Sequence, residues 1–161
     1  MHPKVGSVLD ASSIEYRIWK HADLPVPIRN PQDFANALNY PLARITKSVL
    51  FRAEPQKIYT LVVCSIDRKI DLTQLAAIMH AKRMQVANAD ELERFTNYPP
   101  RGVSPLGIET LPIYLDKNVL SFPTILIGGG EAGVEVELNP SDLQYLTTAI
   151  VVPITIAPAQ N

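Results

Sequence analysis

Two apolar segments separated by a four-residue turn restrict the fold of this 161-residue chain more than any other feature. Residues 45–53 and 58–64 are rich in β-branched and apolar side chains, and neither segment contains glycine or proline. The intervening EPQK has the composition of a turn. Because β-branched and aromatic residues favour strands, we predict that the two segments pair as a β-hairpin.

The first of these strands carries a lysine on its apolar face. Side chains alternate between the two faces of a strand, so Lys47 shares a face with Ile45, Val49 and Phe51, and the face that starts at Thr46 is more polar. Lysine is almost never fully buried without a partner. The ammonium group either reaches water past the apolar surface or lies at the mouth of a pocket, directed at an anionic or carbonyl group. A Schiff-base nucleophile is a weaker third interpretation.

The remaining segments alternate between strand and helix patterns. Further strands are predicted at about 14–21, 84–88, 111–116, 124–130, 134–138 and 149–156. Helices are predicted at 30–40, 71–83, 88–95 and 139–146, each beginning at an Asn or Asp that can cap it. We predict one α/β (α+β) domain over 1–161, with a mixed, mostly antiparallel sheet of about seven strands flanked by helices. The two ends lack such patterns and are predicted to be loose tails.

Composition excludes several classes of protein. The net charge of −1 argues against a protein that grips nucleic acid through many phosphates, but not against an enzyme that contacts only an RNA end. Cys64 is the only cysteine, and its apolar strand is typical of a buried thiol. The histidines and this cysteine lack metal-ligand spacing. With no long apolar run and no secretory signal, we expect a soluble cytoplasmic protein.

Two glycine-containing segments are candidates for a site. GGGEAG at 128–133 fits Gly-x-Gly-x-x-Gly, but the VEVEL that follows predicts a strand, whereas a dinucleotide fold needs a helix there. The segment is therefore a hairpin turn, or a turn at Gly129 and Gly130 that lets a ligand approach the backbone. RGVSPLG at 101–107 lies in the longest loop, which is either an ordinary rigid loop or a source of N–H groups for an oxyanion.

Three polar residues have ordinary explanations from the sequence alone. Ser104 is not in the Gly-x-Ser-x-Gly elbow that carries the nucleophile of many serine hydrolases. That elbow uses the N–H of the following residue for its oxyanion hole, and here the following residue is Pro105, which has no N–H. Asp116 ends a strand and is suited to cap the following turn. Glu135 alternates with valines, which is typical of the solvated face of a strand.

Four segments nevertheless occur together in a known order and spacing. They are ARITKSVLFRA, RGVSPLG, LPIYLD and TILIGGGEAGVEVELNPSDL. In this combination the chain resembles the YbaK/ProX-type aminoacyl-tRNA editing domains, relatives of the editing domain of bacterial prolyl-tRNA synthetases, over a core of about 14–150. The resemblance implies a YbaK-like fold and a trans-acting deacylase without metal or cofactor. Its partners would be the 3′ end of an aminoacyl-tRNA, most often tRNA-Pro carrying Ala or Cys, and prolyl-tRNA synthetase, rather than DNA or a membrane.

The resemblance also implies roles for individual residues. Those expected to stabilise the transition state are Lys47, Gly102 and Ser104, the last two through backbone N–H groups. Those expected to bind substrate are His21, Arg101, Val103, Pro105, Asp116, Gly129, Gly130 and Glu135. Arg101 stands where the family pattern Gly-x-x-x-Pro has its first glycine, and it either meets a phosphate of the CCA end or changes the pocket. The alternative is a non-catalytic module that binds a nucleotide, a tRNA end or a synthetase.

Overall fold

The computed structural model describes residues 1–158, and within them the chain forms ten strands and five α-helices. The last three residues of the predicted 1–161 domain lie outside the described residues. The strands are β1 (Tyr16–Lys20), β2 (Thr46–Glu54), β3 (Ile58–Ser65), β4 (Lys69–Ile70), β5 (Arg83–Val86), β6 (Ile113–Asp116), β7 (Ile125–Gly128), β8 (Val134–Leu138), β9 (Ile150–Val152) and β10 (Thr155–Ile156). The helices are α1 (Pro3–Asp10), α2 (Pro31–Leu38), α3 (Leu72–Ile78), α4 (Ala89–Thr96) and α5 (Pro140–Thr147).

The predicted hairpin forms the centre of a five-stranded sheet. Its strands β2 and β3 pair antiparallel from Thr46 opposite Ser65 to Ala53 opposite Ile58. The strand order is β5-β2-β3-β6-β9, in which β6 lies parallel to both β3 and β9. A second, antiparallel sheet has the order β1-β8-β7, and β10 pairs with β4. The expected mixed and mostly antiparallel architecture is confirmed.

The strands are divided among three sheets instead of the single sheet that the sequence suggested. The predicted last strand, 149–156, is interrupted at Pro153, whose backbone cannot donate a ladder hydrogen bond. Its two halves therefore pair with different sheets. The three-stranded sheet approaches the start of β2 through an isolated parallel bridge between Ile45 and Leu126. A cavity forms at this junction.

The expectation of a loose N-terminal tail was wrong. Helix α1 begins after His2, whose Nδ1 accepts a hydrogen bond from the Lys4 N–H at 3.1 Å. Pro3 occupies the first helical position, where its missing N–H has no cost. Val5 and Leu9 lie on one face of the helix and are fully buried. Because an isolated helix of this length is marginal in water, burial of this face stabilises it.

Both faces of the hairpin are covered. Leu50, Leu61 and Val63 belong to the larger core, which includes side chains of α1, α5 and the β7–β8 hairpin. Phe51 and Val62 belong to a smaller core against α3. The face of β2 that we expected to be more polar thus carries Leu50, which is 2% exposed. The hairpin is a central layer and has no solvated face at this point.

A partly buried carboxylate fastens β1 and the segment before β2 to β8. Glu137 accepts hydrogen bonds from Trp19 Nε1 at 2.8 Å and from the Tyr40 hydroxyl at 2.9 Å. Thr124 and Arg44 also donate to it, at 2.5 and 3.1 Å. Burial favours a higher pKa, but these hydrogen bonds and the charge of Arg44 outweigh it, so the pKa of Glu137 lies below its ordinary value. The solvated strand face that the alternating pattern predicted is absent at this residue.

A second carboxylate ties helix α4 to the hairpin. Glu91 and Asn88 form a reciprocal capping box at the start of the helix. The Tyr59 hydroxyl and Arg52 Nη1, the latter at 2.8 Å, donate to the same carboxylate. The hydrogen bond from Tyr59, followed by that from the Asn88 backbone, lowers the pKa of Glu91 to about 2. Folding therefore favours the ionised form of this side chain.

We expect Glu91→Gln to lower the melting temperature at neutral pH and to flatten its dependence on acid. The carboxylate stabilises the folded state fully above the ordinary pKa of 4.5, and this stabilisation is lost as the pH falls towards about 2. Thermal unfolding at several pH values between 7 and 3 measures the difference between wild type and variant. Glu93→Gln, at an exposed position of the same helix, is the control. A difference that stays constant with pH would contradict this assignment.

Candidate functional site

A cavity of about 870 Å³ lies at the junction of the two larger sheets. Six separate parts of the chain line it: the end of β1 with the following turn, the start of α2 with the residues before it, the start of β2, Ile66 after β3, the loop at 100–103 and the turn between β7 and β8. This volume is typical of pockets that hold drug-sized ligands. The cavity is therefore assembled by tertiary contacts between segments that are distant in the sequence.

Lys47 contributes the charge on the β2 side of the cavity. Its side chain is half-buried, and its Nζ donates to the carbonyl oxygen of Arg68 at 2.8 Å. An ammonium group has three N–H donors, so two remain for a ligand. Cys64 lies opposite in the hairpin, where burial raises the pKa of its thiol to about 11 in spite of the lysine charge. At neutral pH this thiol is protonated and is not a nucleophile.

The long loop and the glycine-rich turn form another wall and contact each other through their backbones. The N–H of Gly130 donates to the carbonyl of Gly102 at 2.7 Å. Gly102 has φ +96°, and a Cβ there would lie 2.4 Å from the carbonyl of Glu131. A Cβ on Gly128 would lie 2.1 Å from the carbonyl oxygen of Val103. The glycines are needed because two backbones meet here without room for a side chain.

Two backbone donors in this wall have no acceptor in the described part of the chain. Gly102 and Val103 both line the cavity, and their N–H groups have no acceptor within residues 1–158. Backbone N–H groups fixed in this way can stabilise negative charge that develops on a substrate carbonyl oxygen. The loop therefore contains two backbone donors that a ligand can use.

A histidine and a glutamate form a polar pair at a third wall. His21 Nε2 and Glu135 Oε2 are 2.6 Å apart, and both side chains are partly exposed. The imidazole ring packs on Phe34 with 4.7 Å between ring centroids. The backbone N–H of His21 donates to the carbonyl of Gly133 at 2.9 Å, which holds the pair against the turn. The pair can donate to or accept from a polar group of a ligand.

Residues 26–146 match the family model of the aminoacyl-tRNA editing domain. The chain belongs to this family. The match covers more than half of the chain and all of the cavity walls except the end of β1 and the turn that follows it. The editing-domain resemblance found in the sequence is thereby confirmed.

Relatives of this editing domain include both synthetases and a smaller protein. It is 32% identical over 129 residues to a proline–tRNA ligase of Sulfurihydrogenibium sp., and the match covers 76% of this chain but only 22% of the ligase. It is 29% identical over 90 residues to an Enterococcus faecalis protein described as "Putative Cys-tRNA(Pro)/Cys-tRNA(Cys) deacylase EbsC", and the match covers 55% of each. The chain therefore spans only part of each of these relatives.

A solved structure confirms the fold class. The crystal structure described as that of "a putative trans-editing enzyme for prolyl tRNA synthetase" superposes with a TM-score of 0.82 at 24% identity. The superposition covers 98% of this chain and 99% of the other. At this level of identity the likeness concerns the fold alone, and it extends over both larger sheets and the helices.

The editing domain brings together six of the eleven residues that the sequence proposed for the site. Those that line the cavity are His21, Lys47, Arg101, Gly102, Val103 and Glu135. They come from four of the six lining segments. The exposed Arg101 side chain leaves the cavity open, so replacement of the family glycine has not closed it.

The other five proposed residues lie outside the cavity wall. Ser104 is fully buried, and its Oγ accepts from the backbone N–H two residues later at 3.2 Å. Pro105 borders a separate cavity of about 320 Å³. Asp116 is fully buried and accepts hydrogen bonds from the segment that contains β10. Gly129 and Gly130 form the turn behind the wall, where the Gly129 carbonyl accepts from the His2 N–H at 3.0 Å.

The structure also places residues at the cavity that sequence reasoning missed. Lys20 is the last residue of β1, and Arg29 immediately precedes the cap of α2. Phe34, within the predicted helix 30–40, also lines the cavity. No spacing rule connects these three residues with the predicted site, because they meet only after the sheets pack.

Among the described residues, no group of three or more His, Cys, Asp or Glu side chains is arranged to hold a metal ion. In the same part of the chain, no helix is long and apolar enough to cross a membrane.

Proposed function

We propose that this editing domain hydrolyses the ester that joins a wrong amino acid to the 3′-terminal adenosine of a tRNA. The observation that carries the proposal is a cavity lined both by the half-buried Lys47 and by Gly102 and Val103, whose N–H groups have no acceptor within residues 1–158. Positive charge and backbone donors around one space suit a reaction whose transition state carries a negative oxygen. Membership of the editing-domain family supplies the substrate class.

The proposed chemistry needs no protein nucleophile. Water, oriented by a ribose hydroxyl or by the substrate's own side chain, adds to the ester carbonyl carbon and forms a tetrahedral intermediate. The N–H groups of Gly102 and Val103 donate to its oxyanion, and Lys47 supplies positive charge nearby. The C–O bond to the ribose then breaks, and a proton from the attacking water passes to the ribose oxygen. The products are the free amino acid and a tRNA with a free 3′ end.

The positions of the serine and the cysteine support this mechanism. Ser104 is fully buried away from the cavity. The thiol of Cys64 is buried and protonated at neutral pH. An aminoacyl ester is already activated, so positioning of water and stabilisation of the oxyanion are sufficient for the reaction.

The relatives suggest the substrate. Several are proline–tRNA ligases, and the E. faecalis protein is named for Cys-tRNA(Pro) and Cys-tRNA(Cys). We therefore propose tRNA-Pro carrying Ala or Cys as the substrate of this chain, with prolyl-tRNA synthetase as a partner in the cytoplasm. Editing of small amino acids is chemically necessary, because one methylene group provides only about 1–3 kcal/mol of discrimination in a binding pocket.

A panel of mischarged tRNAs tests the proposal. We expect the purified protein to release Ala or Cys from tRNA-Pro and to leave correctly charged Pro-tRNA intact. Release of labelled amino acid under single-turnover conditions measures the rate for each substrate. Absence of hydrolysis across the whole panel would overturn the proposal, and tight binding of an aminoacyl-adenosine analogue without turnover would support the binding-module alternative.

A further inference from the structure

The cavity is positively charged although the chain is not. Its titratable lining residues are Lys20, Arg29, Lys47, Arg101, Glu131 and Glu135, together with His21. Four basic groups against two carboxylates leave an excess of two positive charges, with the histidine counted as neutral, whereas the whole chain has a net charge of −1. Charge of one sign concentrated at a concave surface attracts ligands of the opposite sign.

Three of the basic residues form what we call the basic rim: Lys20, Arg29 and Arg101. They are all exposed, and they come from the end of β1, the segment before α2 and the long loop. Within residues 1–158 none of the three forms an ion pair closer than 4.0 Å. Lys47 differs from them because it is half-buried and bonded to a carbonyl group.

The two acidic groups of the cavity already have partners. Glu135 is held by His21 at 2.6 Å, and Glu131 by the N-terminal ammonium group at 2.9 Å. The pKa of Glu131 is lowered chiefly by that ammonium group, and the charge of Lys20 adds to the effect. The charges of the basic rim are thus not neutralised by carboxylates of its own cavity. An anionic group of a ligand would therefore be attracted to the rim.

We propose that the basic rim binds the phosphodiester groups that precede the terminal adenosine, while the aminoacyl ester lies deeper, beside Lys47. This inference rests on the proposed function, since it assigns a second part of the same substrate. The two arginines can each bind two phosphate oxygens through a planar fork, and Lys20 acts as a point charge. The rim therefore recognises the single-stranded backbone of an RNA end without reading its bases.

Salt dependence distinguishes such contacts from other contributions to affinity. Three phosphate contacts to a single strand give a slope of about −2 in a plot of log affinity against log salt concentration, and loss of one contact reduces its magnitude by about 0.7. We expect this change for Arg101→Ala and Arg29→Ala in binding of a fluorescent RNA minihelix that ends in CCA. Arg101→Lys retains the charge, so its slope should stay near that of wild type.

A comparison of two substrates separates the rim from the chemistry. Rim variants should lower kcat/KM several-fold for an aminoacylated minihelix, and they should leave hydrolysis of an aminoacyl-adenosine, which has no phosphate, unchanged. Lys82→Ala removes the same charge at an exposed residue outside the cavity and is the matched control. Equal losses on both substrates, or rim variants with the wild-type salt slope, would overturn the inference.

The same design keeps the two proposals apart. If wild type hydrolyses neither substrate, the proposed deacylase function fails, and the binding experiment with uncharged minihelix still decides on the rim. In that case, a salt-dependence slope that becomes shallower in the rim variants, and not in Lys82→Ala, would still support phosphate binding by the rim. If wild type hydrolyses both substrates and Arg101→Ala matches Lys82→Ala in every measurement, the deacylase stands and the rim is refuted.

Discussion

Lys47→Met is expected to reduce deacylation by on the order of 100- to 1,000-fold while the protein stays folded. The ammonium group is the half-buried charge of the cavity, and two of its three donors are available to the substrate. Methionine keeps a long apolar stem against the strand but carries no charge. The change removes one hydrogen bond to the Arg68 carbonyl, which is worth about 1 kcal/mol of stability. Single-turnover release of the amino acid measures the loss.

Two further variants show whether charge is the cause. Lys47→Arg retains the charge with a different donor geometry, and we expect it to recover part of the rate. Lys117→Met makes the same chemical change at an exposed residue beyond the cavity and should keep the wild-type rate. A Lys47→Met protein that melts within a few degrees of wild type and deacylates normally would exclude this lysine from the mechanism.

For Lys47, the sequence predicts the face of the strand but not the position of the ammonium group. Period-two alternation correctly assigned the residue to the Phe51 face of β2, which packs against α3. Alternation contains no information about where a long side chain ends. The contact with the Arg68 carbonyl depends on the turn after β3, which is 21 residues away in the chain. The pattern directed attention to this lysine, and the family resemblance then favoured a role in a site over a side chain that only reaches water.

The loop at 101–105 shows a second limit of the sequence prediction, which is the direction of side chains in an irregular segment. The sequence proposed residues 101–105 as one unit of the site, but in the structure they lie in different surroundings. Arg101, Gly102 and Val103 line the main cavity, whereas Ser104 is buried and Pro105 borders the smaller cavity. A loop without a regular period gives no rule for which side chain faces inward, so only tertiary packing decides it.

The strand and helix assignments succeeded where local signals were strong. The β2–β3 hairpin and the capping box of α4 were both readable, because alternation and capping act over a few residues. Helix α1 was missed, although Pro3 at its start and the spacing of Val5 and Leu9 were visible, because eight residues hold too little pattern. No local pattern in the sequence indicates that Lys20 and Arg29 line the cavity.

Gly128→Ala is expected to lower the deacylation rate about 100-fold. A Cβ at this residue would lie 2.1 Å from the carbonyl oxygen of Val103, where real Cβ atoms keep at least 3.0 Å. The loop that carries the Gly102 and Val103 N–H groups must therefore move by roughly 1 Å. A displacement of this size in groups that position a reaction costs on the order of 100-fold in rate. Single-turnover deacylation, with thermal unfolding measured in parallel, tests this expectation.

Gly133→Ala provides the matched control, because it adds the same methyl group to the same turn without the collision. Its nearest neighbour would be the Cβ of His21 at 3.9 Å, an ordinary contact. Its φ of +77° is unfavourable for alanine and should cost about 1 kcal/mol of stability. We expect a lower melting temperature with a deacylation rate close to wild type. If both variants lose the same activity, backbone strain in the turn explains the effect, and contact between turn and loop is not what positions the N–H groups.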